Sequence, residues 1–189
     1  MTAEIQQFGE RLALAVQSKG SASCVGIDPH LDRLPASMAQ AASAALDLGD
    51  SAQAATIVEE YCLGVVAAVA DHVPAVKPQA AFFEQLGWAG VRALERVVAA
   101  ARAQGLLVVL DAKRGDIGST ARAYAAMGLS ATGSCPSDAM TLSPYLGPES
   151  LAPYVDYFDQ GAGVFVLVRT SNPGSLLWQA PNDDGIACR

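Results

Sequence analysis

Apolar residues follow two alternating patterns along the chain: short uninterrupted runs, and longer segments in which they recur every three or four positions. Short runs rich in Val, Leu and Ile are typical of buried parallel strands, whereas the wider spacing is typical of a helix with one face on the core. The runs therefore predict five strands, and the spaced segments predict helices before and between them. The predicted strands cover 23–27, 73–76, 106–110, 139–143 and 163–169, and the helices are centred on 5–16, 54–70, 88–98, 119–127 and 149–158.

This alternation of strands and helices predicts a parallel α/β architecture with right-handed crossovers. The first helix is expected to cover one end of the core, and residues 31–50 are expected to be an insertion with a helical piece. A chain of 189 residues suffices for one sizeable core and is short for two, so residues 1–189 are predicted to form a single domain. The length is also below the ~250 residues that a closed (β/α)8 barrel typically needs.

The formal charge is −7, from 12 basic and 19 acidic residues, which argues against a nucleic-acid-binding protein with a broad basic face. An anionic small substrate is compatible with this charge, because salt screens acidic groups that lie beyond ~10 Å. Polar residues interrupt the apolar positions of the first 20 residues, which therefore resemble neither a signal peptide nor a membrane span. We expect a cytoplasmic protein without nucleic-acid or membrane partners.

The cysteines are widely scattered, with no Cys-x-x-Cys pair and no histidine nearby at ligand spacing. This distribution favours reduced and mostly buried thiols over a metal site or a disulfide framework. The four residues are Cys24, Cys62, Cys135 and Cys188.

The densest group of charges follows the third predicted strand, in the segment LLVVLDAKRGDIGST at 106–120. Side chains alternate in an extended chain, so Asp111 and Lys113 are predicted to point the same way, with Asp116 in the turn that follows. The carboxyl ends of parallel strands are where α/β folds place their chemistry. From these residues alone, the alternative is a surface ion pair beside an aspartate that caps a helix.

Charged residues also follow the first two predicted strands. Asp28 precedes Pro29 at the end of the first strand, where a turn-forming aspartate is the alternative to a binding residue. Lys77 directly follows the second strand, and burying an ammonium group alone costs several kcal/mol. We therefore expect Lys77 to reach either water or the acidic pair on the neighbouring strand.

The string DAKRGDIGST at 111–120 resembles the signature of orotidine 5'-phosphate decarboxylase in residue type and spacing. The resemblance implies a (β/α)8 TIM-barrel fold, of which this chain contains about the first five βα units. It also implies decarboxylation of orotidine 5'-phosphate to uridine 5'-phosphate in de novo pyrimidine biosynthesis, with Lys113 as the proton donor to C6. Asp111 would then lie beside the departing carboxylate, and Lys77 and Asp116 would complete an alternating array of charges.

The same resemblance implies substrate contacts by Asp28 at the sugar hydroxyls, by Ser171 at the pyrimidine amide edge, and by Ile117 and Thr120. In the family the second Asp and the following Thr reach into the partner's site, which implies a homodimer with shared active sites. It implies no metal and no organic cofactor, and it leaves the residues that bind the 5'-phosphate to the βα units beyond this chain. From the residues alone, Ser171 as a turn residue and Thr120 as a helix cap are open alternatives.

Two other functions are open. One is a magnesium-dependent sugar-phosphate decarboxylase or aldolase of the same suprafamily, which shares the D-x-K-x-x-D pattern. Those enzymes have an acidic metal ligand on the second strand, where this sequence has Lys77, so independence of magnesium would separate the two activities. The other is an inactive fragment or an interaction module built from a truncated barrel, because an open edge of a parallel sheet favours pairing with another chain.

Overall fold

In the computed structural model, which describes residues 6–179, five strands alternate with helices along the chain. The strands are β1 (Cys24–Ile27), β2 (Ala75–Pro78), β3 (Leu107–Arg114), β4 (Ala139–Leu142) and β5 (Gly163–Val166). The helices are α1 (Phe8–Lys19), α2 (Ala36–Asp47), α3 (Ser51–Val69), α4 (Ala81–Glu84), α5 (Gly87–Ala103), α6 (Gly118–Leu129), α7 (Ala152–Val155) and α8 (Ser175–Gln179).

All five strands form one parallel sheet, and their order in space, β1-β2-β3-β4-β5, is their order in the sequence. Each crossover therefore moves to the next position in the same direction. Because crossovers in parallel sheets are right-handed, all the connecting helices collect on one face. A doubly wound sheet instead reverses its strand order and has helices on both faces. The observed order is that of a partial (β/α)8 fold, as the sequence predicts.

The side chains of each strand alternate between an outer face, which packs against the helices, and an inner face. On β3, Val108 and Leu110 are at most 1% exposed and belong to the hydrophobic core beneath the helices. Val109 and Asp111 alternate with them and so lie on the inner face. The outer core is continued by Ile27, Val58, Val66, Val76, Phe83, Val97, Val98, Met140 and Leu142.

Helix α1 is bound to the amino ends of the strands through a buried carboxylate. Asp138, directly before β4, accepts a hydrogen bond from Arg11 at 2.7 Å and another from the backbone N–H of Val108 at 2.8 Å. Arg11 also donates to the carbonyl of Gly161, before β5, at 2.8 Å. These bonds join α1 to the amino ends of three neighbouring strands, although none of the residues of α1 is buried.

The second, third and fifth strands end at different residues from those predicted. The strand β2 (Ala75–Pro78) includes Lys77 instead of ending at Val76. The strand β3 continues to Arg114 instead of ending at Leu110, because the charged residues that follow Leu110 find partners on β2 and β4. The strand β5 ends at Val166 instead of residue 169. Charge is therefore a poor marker of a strand end where neighbouring strands supply the opposite charge.

The segment after β4 is less regular than the predicted helix over 149–158. It contains α7 between two single turns, and Pro153 within α7 lacks the N–H that a continuous helix would use. The two single turns are Pro148–Ser150 and Phe158–Gln160.

Among residues 6–179, α3 is the one helix that is long and apolar enough to cross a membrane, by length and composition alone. It packs against α2 and α5 in the helix layer. Ala55, Val58, Cys62 and Val66 lie buried in those contacts. Packing therefore accounts for the apolar face of this helix.

Two of the three described cysteines, Cys62 and Cys135, are buried thiols, while Cys24 is exposed. Burial raises the pKa of Cys62 and of Cys135 to about 12, so both are protonated at neutral pH. Cys188 lies outside the described residues. Two of the three described thiols are therefore buried, as expected, and the reduced state of the cysteines stays a prediction.

Candidate active site

Asp111 is the centre of a charged cluster on the inner face, at the carboxyl end of β3. The residue is only 4% exposed, and its Oδ2 accepts a hydrogen bond from Lys77 Nζ at 2.6 Å. Its Oδ1 accepts from Lys113 Nζ, also at 2.6 Å, and from the Thr141 hydroxyl at 2.9 Å. One buried carboxylate therefore binds two ammonium groups and one hydroxyl, supplied by β2, β3 and β4.

Parallel pairing between β2 and β3 explains the position of Lys77. Gln79 forms a bridge with Asp111, and the N–H of Ala80 donates to the Asp111 carbonyl at 3.1 Å. Lys77 precedes Gln79 by two residues and therefore lies on the same face. Of the two outcomes expected for the Lys77 ammonium group, water or an acid of the neighbouring strand, the structure shows the second.

The end of β3 departs from a regular strand. Four residue steps along β3 are matched by only two along β4, which leaves a bulge. Within it Lys113 has a φ angle of 46°, and its N–H donates to Thr141 Oγ1 at 2.9 Å instead of to a carbonyl of β4. A left-handed backbone costs a residue other than Gly about 1–3 kcal/mol, and such strain concentrates at functional sites. Lys113 and Asp111 do meet, but the premise of a regularly alternating strand is wrong.

Thr141 is a site residue that the sequence analysis missed. Its hydroxyl donates to Asp111 and accepts from the Lys113 N–H, so it orients the carboxylate and stabilises the bulge at once. The sequence did contain a sign of this role. Thr141 is a polar residue within the predicted fourth strand, one position after the fully buried Met140 and therefore on the opposite, inner face.

The two lysines keep Asp111 ionised. Burial, the largest single influence, raises the pKa of this carboxyl. The hydrogen bonds from Lys113, Lys77 and Thr141, together with the charge of Lys77, lower the pKa by more in total, so that it lies below its usual value. The cluster therefore presents a carboxylate between two cations at neutral pH.

This lowered pKa predicts how folding stability depends on pH. Asp111 is harder to protonate when folded than when unfolded, so its ionised form stabilises the fold above the unfolded pKa of ~3.9. That contribution is lost as the pH falls through the lower folded pKa. Urea unfolding between about pH 3 and pH 6 should show a stability difference between the chain and Asp111→Asn that shrinks below about pH 4. Asp71→Asn, at an exposed aspartate, controls for the loss of one carboxylate, and a pH-independent difference for Asp111→Asn would contradict the prediction.

Asp28, the residue predicted to bind the sugar hydroxyls of the substrate, is exposed and lies directly after β1. It lines a cavity of about 280 Å³ together with His30, Arg33 and Tyr61. No hydrogen bond among the described residues joins Asp28 to the Asp111 cluster. Its assignment to the sugar hydroxyls stays a prediction.

The residues after β3 form no described hydrogen bond with the cluster of the same chain. The Asp116 carboxylate accepts from the N–H of Ile117 at 2.8 Å, and Ile117 itself is 53% exposed. Thr120 is exposed in the first turn of α6, and Ser171 is exposed in the loop after β5. The structure thus brings Lys77, Asp111 and Lys113 together and leaves these four predicted residues at the surface of the described part of the chain.

Within residues 6–179, no group of three or more His, Cys, Asp or Glu side chains is placed to bind a metal ion. At the cluster itself, both oxygens of the buried carboxylate already accept hydrogen bonds from ammonium groups. The independence of metals and cofactors stays a prediction for the assay described below.

Comparison with known proteins matches residues 24–186 to the family described as orotidine 5'-phosphate decarboxylase / HUMPS. The orotidine 5'-phosphate decarboxylase of Rhodopirellula baltica is 47% identical over 183 residues, which are 94% of this chain and 59% of that protein. The enzyme of the same name from Streptomyces coelicolor is also 47% identical, over 96% of this chain and 61% of its own length. This chain therefore spans about three fifths of the curated relatives that it matches.

Solved structures give the same result. A crystal structure of a Streptomyces avermitilis protein matches 97% of this chain and 61% of its own, with 46% identity and a TM-score of 0.81. The structure of Leishmania donovani OMP decarboxylase matches 92% of this chain and 58% of its own, with 37% identity and a TM-score of 0.69. The match covers β1 to β5 and the charged cluster between them, and the chain therefore belongs to the orotidine 5'-phosphate decarboxylase / HUMPS family.

Proposed function

We propose that this protein decarboxylates orotidine 5'-phosphate to uridine 5'-phosphate, a reaction of pyrimidine biosynthesis. The observation that carries the proposal is the buried Asp111 carboxylate with Lys77 and Lys113 each at 2.6 Å. The relatives are named orotidine 5'-phosphate decarboxylase, which supports the same substrate. This chain covers about 60% of the length of each of them.

In the reaction, the bond between C6 and the carboxyl carbon breaks, CO2 leaves, and the electron pair stays on C6. This pair lies in the plane of the pyrimidine ring, so the ring π system cannot delocalise it. Lys113 supplies the nearby positive charge and then transfers a proton from Nζ to C6, which gives the C–H bond of the product. Solvent protonates the neutral amine again.

Electrostatic preorganisation gives the cluster its catalytic effect. An ammonium group ~4 Å from a developing negative charge contributes roughly 4 kcal/mol at an effective dielectric constant of ~20. Because Asp111 and the bulge of β3 position Lys113 before substrate binds, this contribution needs no reorganisation during the reaction. The Asp111 carboxylate also repels the carboxylate of the substrate, and this repulsion disappears when CO2 leaves.

Lys77 and Thr141 act on Asp111 and not on the substrate's reacting carbon. The positive charge of Lys77 lowers the pKa of Asp111 and so helps to keep this carboxylate ionised beside Lys113. Thr141 holds the Oδ1 atom that Lys113 also contacts. In this mechanism, the loss of Lys77 or of Thr141 therefore leaves Asp111, and through it Lys113, less precisely positioned.

We propose further that the active protein is a homodimer in the cytoplasm. Asp116, Ile117 and Thr120 support this proposal, because none of them forms a described hydrogen bond with the cluster of its own chain. Ile117 is 53% exposed, and Thr120 is exposed as well. These residues are therefore available to a second copy of the chain. Light scattering on the sample used for the activity assay measures its mass, and a monomer that turns over the substrate would contradict shared active sites.

The test of the activity is the ultraviolet absorbance change when purified chain is mixed with orotidine 5'-phosphate, with and without EDTA. We expect turnover that EDTA leaves unchanged, because the inner-face carboxylate is neutralised by lysines and not by a metal ion. Turnover of the substrate that EDTA abolishes would contradict the mechanism.

The two alternatives predict different outcomes of this assay. A magnesium-dependent sugar-phosphate decarboxylase or aldolase would leave orotidine 5'-phosphate unchanged and act on a sugar phosphate only when magnesium is present. A folded chain without activity on either substrate would support an interaction module or an inactive fragment. Far-ultraviolet circular dichroism of the assay sample shows whether the chain is folded.

A further inference from the structure

Arg114, the residue after Lys113, makes contacts in the helix layer and not in the charged cluster. Its guanidinium group forms an ion pair with Glu84 of α4. It also lies over the ring of Tyr124 in α6, with 5.1 Å between Cζ and the ring centroid. The cation–π contact and the ion pair together connect the end of β3 to two helices on its outer face.

The two neighbouring side chains therefore leave the bulge in opposite directions. Lys113 points to the inner face and reaches Asp111, while Arg114 points outward to Glu84 and Tyr124. The contacts of Arg114 lie immediately beside the left-handed residue of the strand, where the backbone is under strain. A strained conformation persists only where its surroundings determine it, and these contacts are part of those surroundings.

Backbone contacts complete the attachment of this segment to β4. The carbonyl of Arg114 accepts a hydrogen bond from the N–H of Ser143 at 2.8 Å. At Gly115 a Cβ atom would lie 3.0 Å from the Ser143 carbonyl oxygen, so the segment after Arg114 packs tightly against the end of β4. The bulge is thus bound on one side to β4 and on the other, through Arg114, to α4 and α6.

We propose that Arg114 is a positioning residue for Lys113: by binding Glu84 and Tyr124 it keeps the bulge of β3 in the conformation that places the Lys113 ammonium group on Asp111. The effect on catalysis rests on the proposed decarboxylase function. The effect on the position of Lys113 does not, and it is measurable in the absence of substrate.

The chain contains only three lysines, Lys19, Lys77 and Lys113, which makes the test direct. In protein labelled with ¹⁵N at the lysine side chains, the spectrum of the ammonium groups has three signals, and Lys19 in α1 is an internal reference. The Lys113→Ala variant assigns the Lys113 signal by its loss. In Arg114→Gln we expect this signal to move toward that of Lys19 as the contact with Asp111 is lost. Arg114→Lys, which keeps a positive charge for Glu84, adds a fourth ammonium signal. In this variant the Lys113 signal, assigned by its loss in the double variant Arg114→Lys/Lys113→Ala, should regain part of its original shift.

The matched control is Arg96→Gln. Arg96 also pairs with a glutamate of another helix, Glu59 in α3 at 3.0 Å, but its side chain is 53% exposed and makes no ion pair with β3. This variant should leave the Lys113 signal unchanged. Glu84→Gln removes the charged partner of Arg114 without changing residues 111–120. If Arg114→Gln does not fold, this variant shows whether the ion pair positions Lys113.

Kinetics of the same variants with orotidine 5'-phosphate separate positioning from binding. We expect Arg114→Gln to lower kcat by about 10-fold to 100-fold, since a displacement of ~1 Å has effects of this size, while KM changes by less than about threefold. An unchanged Lys113 signal in both Arg114→Gln and Glu84→Gln would overturn the proposal. If the unchanged chain has no turnover, the decarboxylase function fails, and the ammonium spectrum still decides whether Arg114 positions Lys113.

Discussion

Lys113→Ala is expected to lower kcat for decarboxylation of orotidine 5'-phosphate by at least about 10³-fold, the largest effect of any single substitution in this chain. Removal of an ammonium group that contributes roughly 4 kcal/mol to the transition state accounts for about three powers of ten. Loss of the proton donor adds to this, since general acid catalysis contributes ~10²-fold to 10⁴-fold. The ultraviolet assay measures the rate directly.

Lys19→Ala is the matched control for this experiment, because Lys19 is the one lysine that does not contact Asp111. It lies in the last turn of α1, at the opposite end of the fold from the charged cluster, and its removal should leave kcat within about twofold of that of the unchanged chain. Turnover by Lys113→Ala at more than a tenth of the original rate would contradict the assignment of Lys113 as proton donor.

Asp138→Asn is expected to lower the free energy of unfolding by about 3 kcal/mol. Removing one partner of a buried ion pair costs ~3–5 kcal/mol because the other charge stays without compensation. Asp138 is 6% exposed and accepts bonds from both Arg11 and the N–H of Val108, but the Arg11 side chain is 31% exposed, which places the cost at the lower end. Urea unfolding at neutral pH measures this difference.

Glu59→Gln gives the comparison for an exposed ion pair. Glu59 pairs with Arg96 at 3.0 Å on the surface of the helix layer, and exposed pairs of this kind contribute ~0–1 kcal/mol. If Asp138→Asn destabilises the chain no more than Glu59→Gln does, then the contact between α1 and the strands is not an important source of stability. The expected difference of about 2 kcal/mol between the two variants exceeds the error of such measurements.

Local patterns in the sequence determined the elements of the fold and the members of the charged cluster. Five apolar runs marked β1 to β5, and the helical spacing marked most of the helices between them. Lys77 and Asp111 were identified from their positions at strand ends, together with the high cost of burying a single charge. These inferences succeeded because each rests on whether a residue is buried or exposed to water, which the pattern within its own strand or helix indicates.

Only the tertiary structure decided which elements lie side by side. Periodicity reports that a residue faces the core but not which strand or helix lies opposite it. The hydrogen bonds of Thr141 to the cluster and the pairing of Arg114 with Glu84 both depend on such neighbours. The same is true of Asp138, whose partner Arg11 is 127 positions away in the sequence. The singly wound order of the sheet was expected only through the resemblance of the motif to a barrel family, and not from periodicity.

The position of Lys113 depends partly on the local sequence and partly on the tertiary structure. The motif predicted, from regular alternation, that an aspartate and a lysine two residues apart share one face of β3, and the two side chains do meet although the strand is not regular there. The register between β3 and β4 determined that they meet through a bulge with a left-handed lysine, since two extra residues of β3 must be accommodated beside β4. A strained backbone is stable only where contacts from distant parts of the chain offset its cost, and a local pattern contains no information about those contacts.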